Sequence, residues 1–257
     1  MTAKSYRTFD AKRPRSIRTE RDSGAVLDGA LLQRAAHLLK NHATAMRNAS
    51  HLLLQAEAPA DPSLRARWRS ALRDSGTGML QLLGQLERLG DALRLDPAAL
   101  ASVPLADWIR DRVREARVTD PAPPVALTTS RLPAGTWRFA TTPAALALGC
   151  LLSNALTHPR AGARATVTGR AVPGGFLLVV ADNGQGVPVK ESPMLFTPFF
   201  RGEAALDRPG AGLGLVIARA AATRAGGHVS HHSVSPRGAR FELFVRGTRL
   251  PPARIQR

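Results

Sequence analysis

Two stretches of this chain carry apolar residues at helical spacing, with a proline-bounded gap between them. Leu32, Leu39, Met46 and Leu53 recur every seven residues, and Ala35, Ala43 and Ala49 lie close to the same stripe. Such a recurrence predicts a helix with one apolar seam. "APADPS" interrupts it, because Pro59 and Pro62 cannot continue a helix and Ser63 can cap the next one. A second apolar series follows in Leu72, Met79, Leu82, Leu83, Leu86, Leu89 and Leu93. Two long helices joined by a short loop make an antiparallel hairpin. Its seam is wider than one partner helix can cover, so we expect a dimer that closes a four-helix bundle.

The texture then changes. Pro97 and Pro104 punctuate the exit, "LADWIRDRVREA" reads as a further short helix, and "DPAPPV" as a linker or turn. Beyond it, "ARATVTGRAV", "GFLLVVAD", "GHVSHHSV" and "ARFELFVRG" read as short strands, with helices beginning near Thr142 and Leu213. The fold class is α+β: a helical hairpin, then a layer with an antiparallel or mixed sheet covered by helices on one face. The expected division is a basic tail over 1–24, the hairpin over 25–97, the α/β domain over 98–247 and a C-terminal tail over 248–257.

Composition excludes several classes. No stretch approaches the roughly 18 uninterrupted apolar residues of a membrane span, and the basic N-terminus has no apolar run behind it, so we expect neither a span nor a secretory leader. Cys150 is the single cysteine, which forbids an intrachain disulfide and a cysteine-rich metal site and suits a reducing cytoplasm. The net charge of +17 raises the possibility of nucleic acid. Only four of the 36 basic residues are lysine; the arginines are spread along the chain without an aromatic platform between them. Charge alone does not decide, and an acidic protein partner is the expectation over nucleic acid.

Four stretches of the second half stand in a fixed order: "CLLSNALTHP", "DNGQGVP", "LFTPFFRG" and "GAGLGLVIARAAATRAGG". On a helix, Asn154 offers an amide oxygen to Mg²⁺, which needs few protein ligands when phosphates and waters supply the rest. Asp182 at a strand end can accept from an exocyclic amine, while Gly184 and Gly186 let a flat base approach the backbone. The last stretch is a glycine-rich loop feeding a helix N-terminus, a ready anion site.

In this order the four stretches resemble the ATP-binding boxes of the histidine-kinase catalytic domain, in the wider superfamily of gyrase-type and heat-shock chaperone ATPases. The resemblance covers Ala25 to about Gly247. It implies an α/β sandwich that binds ATP and Mg²⁺ under a lid, Val187 to Ala211, anchored by "LFTPFFRG". The positions it assigns to the nucleotide are Asn154, also the metal ligand, with His158, Asp182, Gly184, Gly186, Phe199, Arg201, Gly210, Gly212, Leu213 and Gly214. Cys150 stands where gyrase-like relatives place a glutamate general base, so that form of base-assisted hydrolysis lacks its carboxylate. Thr157 stands where many family members have a phosphate-contacting lysine.

The same resemblance makes the hairpin the dimerisation and phosphoacceptor element. Its acceptor pattern fits "HLLKNHA" at His37, Leu39, Lys40 and Asn41, and departs at Leu38, where an acid is usual, and at His42, where proline is common. At about 100° per residue, His37 lies roughly 200° from the Leu39 seam and Leu38 about 100°, both exposed, whereas His42 flanks the core and His51 is a boundary position. His37 is therefore the expected phosphoacceptor, with Asn41 as the second catalytic position. "HVSHHS" (His228, His231, His232) has no accompanying carboxylate or cysteine cluster and reads as non-metal. The implied activity is that of a cytoplasmic, homodimeric histidine kinase that phosphorylates His37 from ATP and passes the phosphoryl group to an aspartate on a response-regulator receiver domain. With 24 residues before the first helix, its signal is expected from a partner in trans or through the basic tail. Two alternatives stand beside it: a degenerate kinase acting as a phosphotransfer or scaffolding dimer with ATP as structural ligand, and a nucleic-acid-binding protein on an ATPase fold, which rests on charge alone.

Overall fold

The computed structural model describes residues 29–54, 61–119, 126–156, 164–205, 210–233 and 237–252. The basic tail, "DPAPPV", Thr157 and His158 lie outside them. The hairpin consists of α1 (Gly29–Leu54) and α2 (Pro62–Arg94), packed against each other. Asp61, not Ser63, caps α2: its side chain accepts from the Ser63 amide at 2.8 Å, and Pro62 occupies the first turn. Proline suits that place because its missing N–H would have had no helical partner. The capping bond holds the Asp61 carboxyl below the usual carboxylate range.

The intrachain seam is shifted from the expected one at its start. Leu31 is buried while Leu32 is 60% exposed, and Ala35 and Ala49 of α1 and Leu82, Leu89 and Ala92 of α2 are also buried. Leu38, expected to be exposed, is instead half-buried and packs against the core together with Leu39. The stripe thus spans two adjacent positions of the helix face. His42 flanks the core as expected, and its ring rests on Gly78 of α2, where a Cβ would come within 2.5 Å of the ring. This contact accounts for a glycine inside a helix, a position that costs about 1 kcal/mol relative to alanine. Leu32, Leu54, Leu80 and Leu83 remain exposed.

The second half is a mixed, curled sheet in the order β1-β3-β7-β5-β4-β2, with β6 also paired to β7. Its strands are β1 (Ala101–Pro104), β2 (Ala126–Ser130), β3 (Thr136–Phe139), β4 (Arg164–Val172), β5 (Gly175–Asp182), β6 (His228–Ser233) and β7 (Ala239–Arg249). Among the described residues, only β2 and β4 run parallel. β7 is long enough to pair with β6 along its first half and with β3 near its end, so it extends to Arg249, two positions past the expected limit. The sequence reading did not foresee β1, β2 and β3. β1 ends in Pro104, read as punctuation, and it sits at the sheet edge, where a proline is tolerated.

Helices α3 (Leu105–Thr119), α4 (Thr141–Leu156) and α5 (Gly214–Arg224) cover the sheet. The face toward them is built from cross-strand pairs, Phe176 with Val245, Leu178 with Leu243 and Val180 with Phe241. Trp137 and Phe139 both meet Phe176 edge-on, at 5.4 and 5.0 Å between centroids, and Trp108 of α3 meets Phe139 at 5.2 Å. Each such pair adds about 0.5–1.5 kcal/mol beyond area burial, enough to hold a four-residue strand such as β3 in place. The hairpin is joined to this core, since α2 packs on α5 and the Arg224 guanidinium donates to the Leu93 carbonyl. Among the described residues, no helix is long and apolar enough to cross a membrane.

Candidate functional site

Asp182 closes β5, and the backbone around it is arranged to hold its carboxylate. Oδ1 accepts from the amide of Gly184 at 2.8 Å and from that of Ala239 at 3.3 Å. Among the described residues, no hydrogen bond engages Oδ2, and Asp182 lines a cavity of about 640 Å³. That volume lies within the range of small-molecule sites. The Ala239 amide gets this close because its neighbour is Gly238, with φ +104° and no room for a side chain: a Cβ there would lie 2.2 Å from the Asp182 carbonyl oxygen. Gly186, at φ +80°, in turn lies against the Gly238 backbone. Gly238 escaped the sequence reading because it is far from Asp182 along the chain and looks like an ordinary hairpin glycine.

The two ends of the expected lid clasp each other. The Phe199 amide donates to the Gly212 carbonyl at 3.1 Å, and a Cβ on Gly212 would fall 2.6 Å from the Phe200 carbonyl oxygen. Phe199 itself sits at φ +63°, a left-handed conformation that bulky residues adopt only when the surroundings enforce it. Glu191, buried, accepts from the Glu203 amide at 3.4 Å, while Lys190 pairs with the Glu203 carboxylate at 2.9 Å. Phe196 lies under the Arg219 guanidinium of α5. Ser192 and the Nδ1 of His231 share a 2.9 Å hydrogen bond, and burial, with the neighbouring His232, holds the His231 pKa below its usual value against the pull of Asp182.

The cavity gathers Asn154, Asp182, Gly184, Gly186, Arg201, Gly210, Gly212 and Gly214 from all four stretches. Phe199 and Leu213 do not line it. Phe199 packs against the core, and Leu213 is fully buried at the start of α5. His158 lies outside the described residues. His37 and Asn41 are exposed on α1 and are not part of the cavity wall. One turn before His37, Arg34 donates to the Pro198 carbonyl at 3.3 Å, so α1 touches the segment expected as the lid. Gln85, Arg88, Arg112 and Glu115 also line the cavity. They come from helices whose amphipathic pattern carries no nucleotide motif, so nothing local in the sequence marked them.

Chemically, the arrangement pairs one oriented carboxylate oxygen with a glycine-lined slot, an amide oxygen and a helix N-terminus. The first two suit an amine-bearing flat ring, and the last two a metal-bound anion. Residues 141–249 match the family described as histidine kinase-, DNA gyrase B-, and HSP90-like ATPase. These residues are a histidine-kinase-type ATPase domain.

The ATPase domain is homologous to transmitter regions of sensor histidine kinases, and the similarity to these proteins extends into the helices before it. The chain is 29% identical over 236 residues to the signal transduction histidine-protein kinase/phosphatase MprB of Mycolicibacterium paratuberculosis, covering 87% of this chain and 44% of that protein. It therefore spans less than half the length of this curated relative. In fold it resembles the Acinetobacter baumannii histidine kinase AdeS, with a TM-score of 0.54 at 15% identity over 82% of this chain and 97% of that one. It also resembles the mycobacterial sensor histidine kinase MprB, with a TM-score of 0.50 at 23% identity over 58% of this chain and all of that one.

Cys150 lies in the cavity wall one helical turn before Asn154, and burial pushes its thiol up to about 11, against the lowering effect of Arg88. At pH 8 so small a thiolate fraction predicts alkylation by iodoacetamide roughly two orders of magnitude slower in the folded protein than in urea. Comparable rates in the two states would contradict the buried, neutral thiol.

Proposed function

We propose that this protein is a histidine kinase: it binds ATP with Mg²⁺ in the cavity beneath Val187–Ala211, phosphorylates His37, and passes the phosphoryl group to an aspartate of a response-regulator receiver domain. The observation that carries this reading is the meeting of Asn154, Asp182, Arg201 and the Gly210–Gly214 loop on one cavity. The adenine amine donates to the free oxygen of Asp182, and the ring enters the slot left open by Gly184 and Gly186. The triphosphate lies toward the N-terminus of α5 and Arg201. Asn154 would hold Mg²⁺, which would supply charge neutralisation at the phosphates. Exposed on α1, His37 is open to two successive partners. A ring nitrogen bonds to the γ-phosphorus as the bond to the ADP oxygen breaks, and the N–P bond is later exchanged for an acyl phosphate on the receiver aspartate.

In this reading the hairpin is also the dimer interface. Leu32 and Leu80 are 60% and 71% exposed, and Leu83 and Leu54 add to the uncovered apolar surface. Burial of such surface contributes about 25 cal/mol per Å², which a second hairpin would supply. A second reading, a phosphotransfer or scaffolding dimer with ATP as structural ligand, draws on Leu38. Packed against the core, it leaves His37 without an adjacent carboxylate to take its ring proton.

Incubation with γ-labelled ATP and Mg²⁺ separates the two. A kinase acquires acid-labile, alkali-stable label that His37→Gln abolishes; absence of label with nucleotide still bound leaves the scaffold, and label persisting in His37→Gln removes the acceptor assignment. Sedimentation at micromolar concentration is expected to give a dimer that Leu80→Arg dissociates, and a wild-type monomer would remove the bundle.

A further inference from the structure

The nucleotide stretches do not make the whole cavity. Part of its wall comes from Gln85 and Arg88 of α2 and Arg112 of α3, beside Cys150 of α4. These side chains have hydrogen-bonding capacity left over. Gln85 Oε1 and Arg112 Nε are both buried without a partner, an arrangement that proteins ordinarily avoid. Arg112 Nη2 donates to the Glu115 carboxylate, while its Nε has no partner. Arg88 forms no ion pair with a described residue, and its Nε turns back to the Gly84 carbonyl at 3.2 Å, leaving its terminal nitrogens for the cavity.

Position narrows what could satisfy these groups. Arg88 acts electrostatically on Cys150, which is one turn of α4 from Asn154, so its charge stands beside the metal-ligating end of the cavity. Gln85 shares the cavity with Gly214 at the N-terminus of α5, the anion-binding end of that helix. The wall therefore presents the guanidinium of Arg88, which has no ion pair with a described residue, the unpartnered Nε of Arg112, whose charge is paired with Glu115, and one amide oxygen that needs a donor. Phosphate oxygens accept from guanidinium groups, and water bound to a divalent cation donates to an amide oxygen. A metal-bound polyphosphate supplies both, and an apolar ligand supplies neither.

We infer that Arg88, carried by the hairpin, and Arg112 hold the terminal phosphate of a bound nucleoside triphosphate, with Gln85 Oε1 accepting a hydrogen bond from the metal's hydration water. The inference rests on the ATP reading given above and adds a discriminating contact from outside the ATPase domain. It makes triphosphate binding and the packing of α2 on α5 mutually dependent, because the contact exists only while the hairpin is docked and the γ-phosphate is present.

The test is calorimetric titration of the full chain, with Mg²⁺, by ADP and by the β,γ-imido analogue of ATP, in the wild type, Arg88→Ala and Arg88→Lys. Loss of a hydrogen bond to a charged group predicts that Arg88→Ala weakens the analogue about tenfold or more. ADP is expected to change less than twofold, and Arg88→Lys to fall between. Because ADP reports on the same cavity, its retained affinity shows that the fold is intact. An unchanged affinity for the analogue, or an equal loss for both ligands, overturns the inference and leaves the ATP reading standing. A wild type that binds neither nucleotide overturns both.

Discussion

The Asp182 carboxylate is held by the nearby amide of Gly184 and by that of Ala239, 57 residues away, so the second bond links two distant parts of the chain. Around this junction the rest of the cavity takes its shape. β5 and β7 must pair in register for Ala239 to lie beside Asp182, and Gly238 must lack a side chain for the backbones to meet. The amides fix the orientation of the carboxylate, so one oxygen is committed to the protein and the other remains for a ligand. An acceptor oriented in advance costs less to engage than one that must be ordered on binding.

The lid depends on the same logic on the other side of the cavity. Phe199 is held in a left-handed conformation by its bond to Gly212, and Gly212 has no side chain to obstruct it. The aromatic stretch and the glycine-rich loop are therefore one mechanical unit, anchored to α5 by Phe196 and Leu213. Through the Arg34 contact with Pro198 and the packing of α2 on α5, the hairpin is attached to this unit at two places. Movement of the hairpin relative to the sheet must alter at least one of these contacts, which supplies a route by which an input could reach the cavity.

The stretches that meet on the cavity were legible in the sequence because each is local: Asn154 on its helix, Asp182 with its glycines, and the loop before α5 need only a few neighbouring residues to be recognised. The long helices were legible for the same reason, from their apolar spacing. What escaped was created by tertiary structure. Gly238 matters only because β7 brings it to Asp182, and Gln85, Arg88 and Arg112 face the cavity only because α2 and α3 pack where they do. Leu38 was misjudged because it packs against the core beside Leu39, so the seam spans two adjacent positions and is broader than a single stripe. The short strands β1 to β3 are held by long-range pairing and the aromatic cluster, and their few residues carry no alternation long enough to read.

The central claim is that Asp182 receives the base of the nucleotide. Titration of ATP with Mg²⁺ into the Asp182→Asn protein tests it directly, because the substitution preserves size and removes the charge of the acceptor. The account predicts at least a tenfold loss of affinity in a protein that remains folded, corresponding to about 1.4 kcal/mol or more. Unchanged affinity in the folded variant would contradict it.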